Sequence, residues 1–156
     1  KDSRDDRNDL LDVRQKQQKV VLVRAPLSVV RLGDCPQFSS AELFRSLFEA
    51  CGESLRVLEI TNCKEISDVG GFCGVPGLCP NLETVNVSGC EGASDVFLRS
   101  LSENCGNLRK LVARRCTRLT DFGMRLLLQG CPRMRHLDLS GCSLITDKGL
   151  AYIGGP

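Results

Sequence analysis

Tryptophan is absent from this chain, and there is one tyrosine and one histidine. Scarce aromatics leave few platforms on which the bases of a nucleic acid strand could stack, so a nucleic acid partner is not expected. His136 stands alone and no C-x-x-C pair occurs, which denies tetrahedral zinc its usual short ligand spacing. It also leaves a cysteine nucleophile one candidate base, and a lone histidine on a repeat strand is more often a surface contact. No serine elbow, paired-carboxylate cleft or H-E-x-x-H is present. No run of about 18 apolar residues could span a bilayer, and the opening "KDSRDDRNDLLDVRQKQQK" has no apolar core of a signal peptide. Neither sign of charge dominates: 21 Lys and Arg face 19 Asp and Glu, a net +2, which argues against bulk attraction to nucleic acid or membrane. No enzyme activity, cofactor, metal or small-molecule substrate is expected.

What the chain has is cysteine, ten in 156 residues, arranged by a repeat. Aligned on its second cysteine, "CPNLETVNVSGCEGASDVFL" from Cys79 falls into register with "CGNLRKLVARRCTRLTDFGM" from Cys105 and "CPRMRHLDLSGCSLITDKGL" from Cys131. A looser copy begins at Cys51, and a fifth keeps Leu27, Val30 and Leu32 ahead of Cys35. Nine of the ten cysteines, all but Cys73, occupy two fixed phases, as a packing role requires. Buried free thiols are therefore expected, and with them a reducing, intracellular compartment, the cytoplasm first.

Within each copy the residues eight, five and three before the second cysteine are apolar: Leu82, Val85 and Val87; Leu108, Leu111 and Ala113; Met134, Leu137 and Leu139. That spacing predicts a short strand. Ser94-Asp95, Thr120-Asp121 and Thr146-Asp147 then supply helix-capping oxygens. Met124, Leu127, Leu128 and Cys131 follow at i, i+3, i+4, i+7, one face of a helix. The segment "DVGGFCGVPGLCP", Asp68 to Pro80, has four glycines and Pro76 where other copies have a helix, and a broken turn or loop is expected there.

The pattern L-x-x-L-x-L-x-x-C, with C-P ahead of it and I-T-D-x-G-L behind it, resembles the cysteine-containing subclass of leucine-rich repeats. The resemblance covers about residues 24 to 156 and is strongest from Cys79 onward. It implies an α/β fold, a right-handed horseshoe segment of a leucine-rich repeat solenoid with about five strand-helix units. Members include F-box/leucine-rich-repeat substrate receptors of cullin-type ubiquitin ligases and antagonists of the mitotic exit network. The resemblance thus implies a recognition module binding a protein partner on its concave face. The alternative is a structural subunit or assembly component of a large complex, as in ciliary axonemes or mitochondrial assemblies. Residues 1–19, eleven of them charged, are expected to form a linker or helical arm, too short and too charged for an F-box. Residues 20–156 form the repeat domain. The chain begins at Lys1 and stops within a repeat at Pro156, so it reads as a piece of something longer with an open edge at Leu150 and Ile153.

Residues six, four and two before each second cysteine should line the concave face. The first row is Val29, Val57, Thr84, Lys110 and His136, and the second is Arg31, Glu59, Asn86, Val112 and Asp138. The third holds Gly33, Thr61, Ser88, Arg114 and Ser140. From 99 to 136, nine Arg or Lys stand against Glu103 and Asp121, a local +7. Lys110, Arg114 and Arg115 are the expected dock for an acidic segment, with His136, Asp138, Asn86, Glu59 and Arg31 as further partner contacts.

Overall fold

The computed structural model describes residues 10–14, 27–34, 41–64, 66 and 72–154. Apolar residues at alternate positions each make a short strand, and the helix that follows carries the chain back to begin the next strand alongside. Parallel neighbours require such a crossover. The strands are β1 Leu10–Arg14, β2 Val29–Gly33, β3 Val57–Thr61, β4 Thr84–Asn86, β5 Lys110–Val112 and β6 His136–Asp138, all parallel and in chain order in one sheet. The helices are α1 Ala41–Cys51, α2 Val75–Leu78, α3 Asp95–Asn104, α4 Asp121–Gly130 and α5 Asp147–Ala151, each packed on its neighbour. This is the α/β solenoid that the repeat predicts.

The core lies between sheet and helices. The residues eight, five and three before the second cysteine are buried in the β2, β3, β4 and β5 units, and Met134, Leu137 and Leu139 of the last unit pack partly buried against them. From the helix side come Phe97, Leu98 and Leu101 of α3 and Met124 and Leu127 of α4, with Leu128 half-buried. Fully burying a side chain of this size is worth roughly 1.5–3 kcal/mol.

Two expectations are corrected. The stretch 1–19 is not only linker or helical arm, because Leu10–Arg14 form β1 in register with Val29–Gly33. Leu10, Leu11 and Val13 give the stretch enough strand character to pair with the open edge of β2, and charged flanks suit an edge strand. The sheet thus begins ahead of residue 20, and a sixth strand joins the five units. In the glycine-rich segment, Asp68–Gly71 lie outside the described residues, but Val75–Leu78 form a short helix rather than a loop. Pro76 sits in its first turn, where no backbone N–H is needed, so the usual helix penalty does not apply. Phe72, 1% exposed, fills the space beside it and meets the Phe97 ring edge-on at 5.3 Å.

The thiols join one unit to the next. Cys90 donates its S–H to the Ile60 carbonyl at 3.2 Å, Cys116 to Val87 at 3.2 Å and Cys142 to Ala113 at 2.9 Å. Each acceptor lies three residues before the previous unit's cysteine. The leading cysteines make a parallel series, with Cys105 donating to the Cys79 carbonyl at 3.5 Å and Cys131 to the Cys105 carbonyl at 3.6 Å. Nine cysteines among the described residues are free and all but Cys73 are buried; Cys35 lies outside those residues. Burial pushes Cys79 and Cys105 up to about 12, and Cys116 and Cys131 up to about 11. A hydrogen bond with Cys63, then burial, raises Cys90 as well.

A second ladder runs through the helix starts. Ser94, Thr120 and Thr146 cap α3, α4 and α5, each accepting an N–H through its hydroxyl oxygen at 3.2 Å. Asp95 accepts the backbone N–H of Thr120 at 2.8 Å and its hydroxyl at 2.6 Å, so α3 positions the cap of α4. Asp121 repeats this toward Thr146 at 2.7 and 2.6 Å. Gly123 and Gly149 make room for these carboxylates, since a Cβ at either position would overlap the oxygen of Asp95 or Asp121.

Two outcomes are expected. In the native state the buried thiols should resist iodoacetamide, because little thiolate is present and access is blocked, whereas denaturation should release ten reactive thiols. Intact mass reads both, and paired disulfides or stoichiometric zinc would contradict it. Asp95→Ala strands the N–H and hydroxyl of Thr120 and should cost about 2 kcal/mol in urea unfolding. Gly123→Ala should also destabilise by crowding the same carboxylate.

Candidate functional site

The face of the sheet turned away from the helices carries the residues six and four before each second cysteine. Strand register sets Val29, Val57, Thr84, Lys110 and His136 side by side. Arg31, Glu59, Asn86, Val112 and Asp138 form the adjoining row. The two rows differ in what their side chains already hold.

The second row is largely occupied by bonds within itself and to the third row. Arg31 donates to Glu59 at 2.8 Å across adjacent strands. Asn86 accepts the hydroxyl of Ser88 at 2.7 Å. Asp138 accepts the hydroxyl of Ser140 at 2.7 Å, the Ser140 N–H at 3.1 Å and the Nε of Arg114 at 2.7 Å. These bonds, Ser140 first and Arg114 after it, hold the Asp138 carboxyl at about 2. Arg114, expected to be presented to solvent for an acidic partner, is exposed but paired with an aspartate whose side chain is 15% exposed.

Lys110, Arg115 and His136 are exposed, and none has an ion-pair partner among the described residues. Arg115 has a further peculiarity. The residue before the second cysteine turns the chain out of the strand with positive φ in every unit: Asp34 at 50°, Asn62 at 55°, Gly89 at 72°, Arg115 at 57° and Gly141 at 79°. Glycine, asparagine and aspartate enter this region readily, but a long side chain there costs roughly 1–2 kcal/mol. Arg115 lies directly over Gly141, where a Cβ would stand 3.1 Å from its Cγ.

Just before the strands, Glu83 sits between Arg56 at 3.9 Å and Arg109 at 3.8 Å. Arg135 occupies the next position of that series, exposed and unpaired among the described residues. On the strands and their immediate ends, the positive charge without an ion-pair partner among the described residues is therefore that of Lys110, Arg115 and Arg135, on β5 and at the ends of β5 and β6. Sequence reasoning counted Arg135 in the basic cluster without placing it among the partner contacts, and it missed the pairing of Arg114 with Asp138. The spacing of Arg135, seven before Cys142 as Arg109 is before Cys116, was the available signal. Among the described residues, no group of three or more His, Cys, Asp or Glu could hold a metal ion, and no helix is long and apolar enough to cross a membrane.

The Arg114–Asp138 arrangement carries a pH signature. The folded pKa of Asp138 lies below its ordinary 3.8, so its contribution to stability is present above that value and lost as pH falls toward about 2. Asp138→Asn should therefore lower the urea midpoint at neutral pH, and the gap from the wild type should close through that acid window. A gap that stayed constant would contradict the assignment.

Comparison with known families gives one result in two places. The model described as Leucine Rich repeat matches residues 53–73 and 130–154, the stretches that contain β3 and β6. A search of curated proteins found no match. The chain therefore carries leucine-rich repeats, stacked as parallel strands and helices in one α/β solenoid.

Proposed function

We propose that this chain is a non-enzymatic protein-interaction module that captures an acidic partner on its strand face through Lys110, Arg115 and His136. The observation that carries this reading is Arg115. At its position the neighbouring units have Gly89 and Gly141, which take the left-handed turn without strain. Keeping a guanidinium there sets about 1 kcal/mol against stability, and strain of this kind concentrates at sites that do something else. The resemblance to F-box/leucine-rich-repeat receptors and mitotic-exit antagonists makes target recognition the first role to test. Arg114, held by Asp138, contributes less than its position suggests, and Arg31, Glu59 and Asn86 shape the surface more than they charge it.

The test is native pull-down of the full-length protein with mass spectrometry. Arg115→Gly removes the charge and relieves the turn, while glycine's larger unfolded-state entropy offsets the relief, so unfolding free energy should stay within about 1 kcal/mol. Combined with Lys110→Glu, it should abolish capture by replacing attraction with repulsion. Arg125→Glu on α4, whose guanidinium lies 5.3 Å from the Phe122 ring centre, is the control and should leave capture intact. Capture by the double variant at wild-type level would refute the reading.

A further inference from the structure

The first row of the strand face is graded along the solenoid: Val29 and Val57 at one end, Thr84 in the middle, Lys110 and His136 at the other. Lys110 and His136 have no ion-pair partner among the described residues, whereas in the adjoining row Arg31 is paired with Glu59 and Asp138 is held by Arg114 of the third row. A partner meeting this face therefore meets one row that is half-buried aliphatic at β2 and β3 and basic at β5 and β6. Arg135, exposed and without an ion-pair partner among the described residues, adds to the basic end.

The strands stand about 4.8 Å apart, so four steps from Val29 to His136 span roughly 19 Å. An extended chain advances about 3.3 Å per residue and covers that distance with about six residues. We propose that the partner lays an extended segment of about six residues along this row, aliphatic where it faces Val29 and Val57 and acidic where it faces Lys110 and His136. The recognition is thus of order as well as of charge. A segment with the same composition in mixed order would set carboxylates against valines and aliphatic groups against cations, losing both contributions. This inference rests on the binding role proposed above and adds the chemistry of the occupant.

The experiment uses four fluorescein-labelled synthetic peptides, three of which have two leucines, two serines and two glutamates at the centre. Two peptides carry the blocks in opposite directions, a third has the same residues interleaved, and a fourth is wholly acidic. Fluorescence anisotropy with the full chain should show one block order binding on the order of tenfold more tightly than the interleaved peptide. Lys110→Glu should weaken that block peptide on the order of tenfold or more. Val57→Thr, close to it in shape, should weaken it about threefold through the aliphatic end. Circular dichroism melting checks that both variants fold. Added salt should reduce binding of the block peptide less than that of the wholly acidic one, because only part of its affinity is ionic.

If the interleaved or wholly acidic peptide binds as well as either block order, or if no block peptide binds below about 1 mM, the inference is overturned. Loss of protein capture by the Lys110→Glu, Arg115→Gly variant would still stand in that case, leaving the binding role intact. Failure of both experiments would remove both.

Discussion

The last three units of this solenoid are each tied to the one before by a buried thiol that donates to a backbone carbonyl. Cys90, Cys116 and Cys142 reach Ile60, Val87 and Ala113, always at the same offset from the preceding cysteine. A carbonyl at that depth needs a donor. Cysteine supplies one while remaining small and largely apolar, so it fills the space where strand turns into loop without introducing a charge. The dimensions of the repeat follow: the strand ahead of each cysteine is fixed beside its neighbour, and the helix behind it begins at a constant place.

The helix starts add a directional link. Asp95 and Asp121 each accept two hydrogen bonds from the next unit's capping threonine, so a helix's first turn is completed by the unit before it. Asp121 is correspondingly more acidic than usual, chiefly through the hydroxyl of Thr146 and then its backbone N–H. With the thiols inside and the carboxylates near the surface, neighbouring units are held at two separated places, which limits both sliding and rotation. That rigidity lets the strand face carry ordered rows. Within those rows, opposite charges on adjacent strands neutralise one another, and the residues proposed to meet a partner are those without such a pair among the described residues.

The register was legible in the sequence because the distance between cysteines and the apolar alternation point to the same alignment. Val29, Val57, Thr84, Lys110 and His136 could be placed side by side from spacing alone, and β4, β5 and β6 pair in that register. The carboxylate ladder was harder to see. Asp95 and Asp121 read as local helix-start residues, and their bonds to another unit depend on helix spacing; the glycine two residues after Asp121 and after Asp147 was the only local sign. The pairing of Arg114 with Asp138 crosses from one row to another, so neither row alone reveals it. At the N-terminal edge, charge masked three apolar residues among Leu10–Arg14, and only the unfilled edge of β2 makes a strand of them. Pro76 shows the limit of propensity, since its cost depends on where in the helix it falls.

The central claim is that the partner's acidic groups meet β5 and β6 on the strand face. Zero-length carbodiimide cross-linking of the native complex tests it most directly, because that chemistry joins a lysine amine only to a carboxylate already in contact with it. Lys110 is an exposed lysine on this face, whereas Lys148 lies on α5 and Lys64 follows β3. Peptide mapping should find Lys110 joined to an aspartate or glutamate of the partner. Cross-links confined to Lys148 or Lys64, with Lys110 unmodified in the intact complex, would contradict the account.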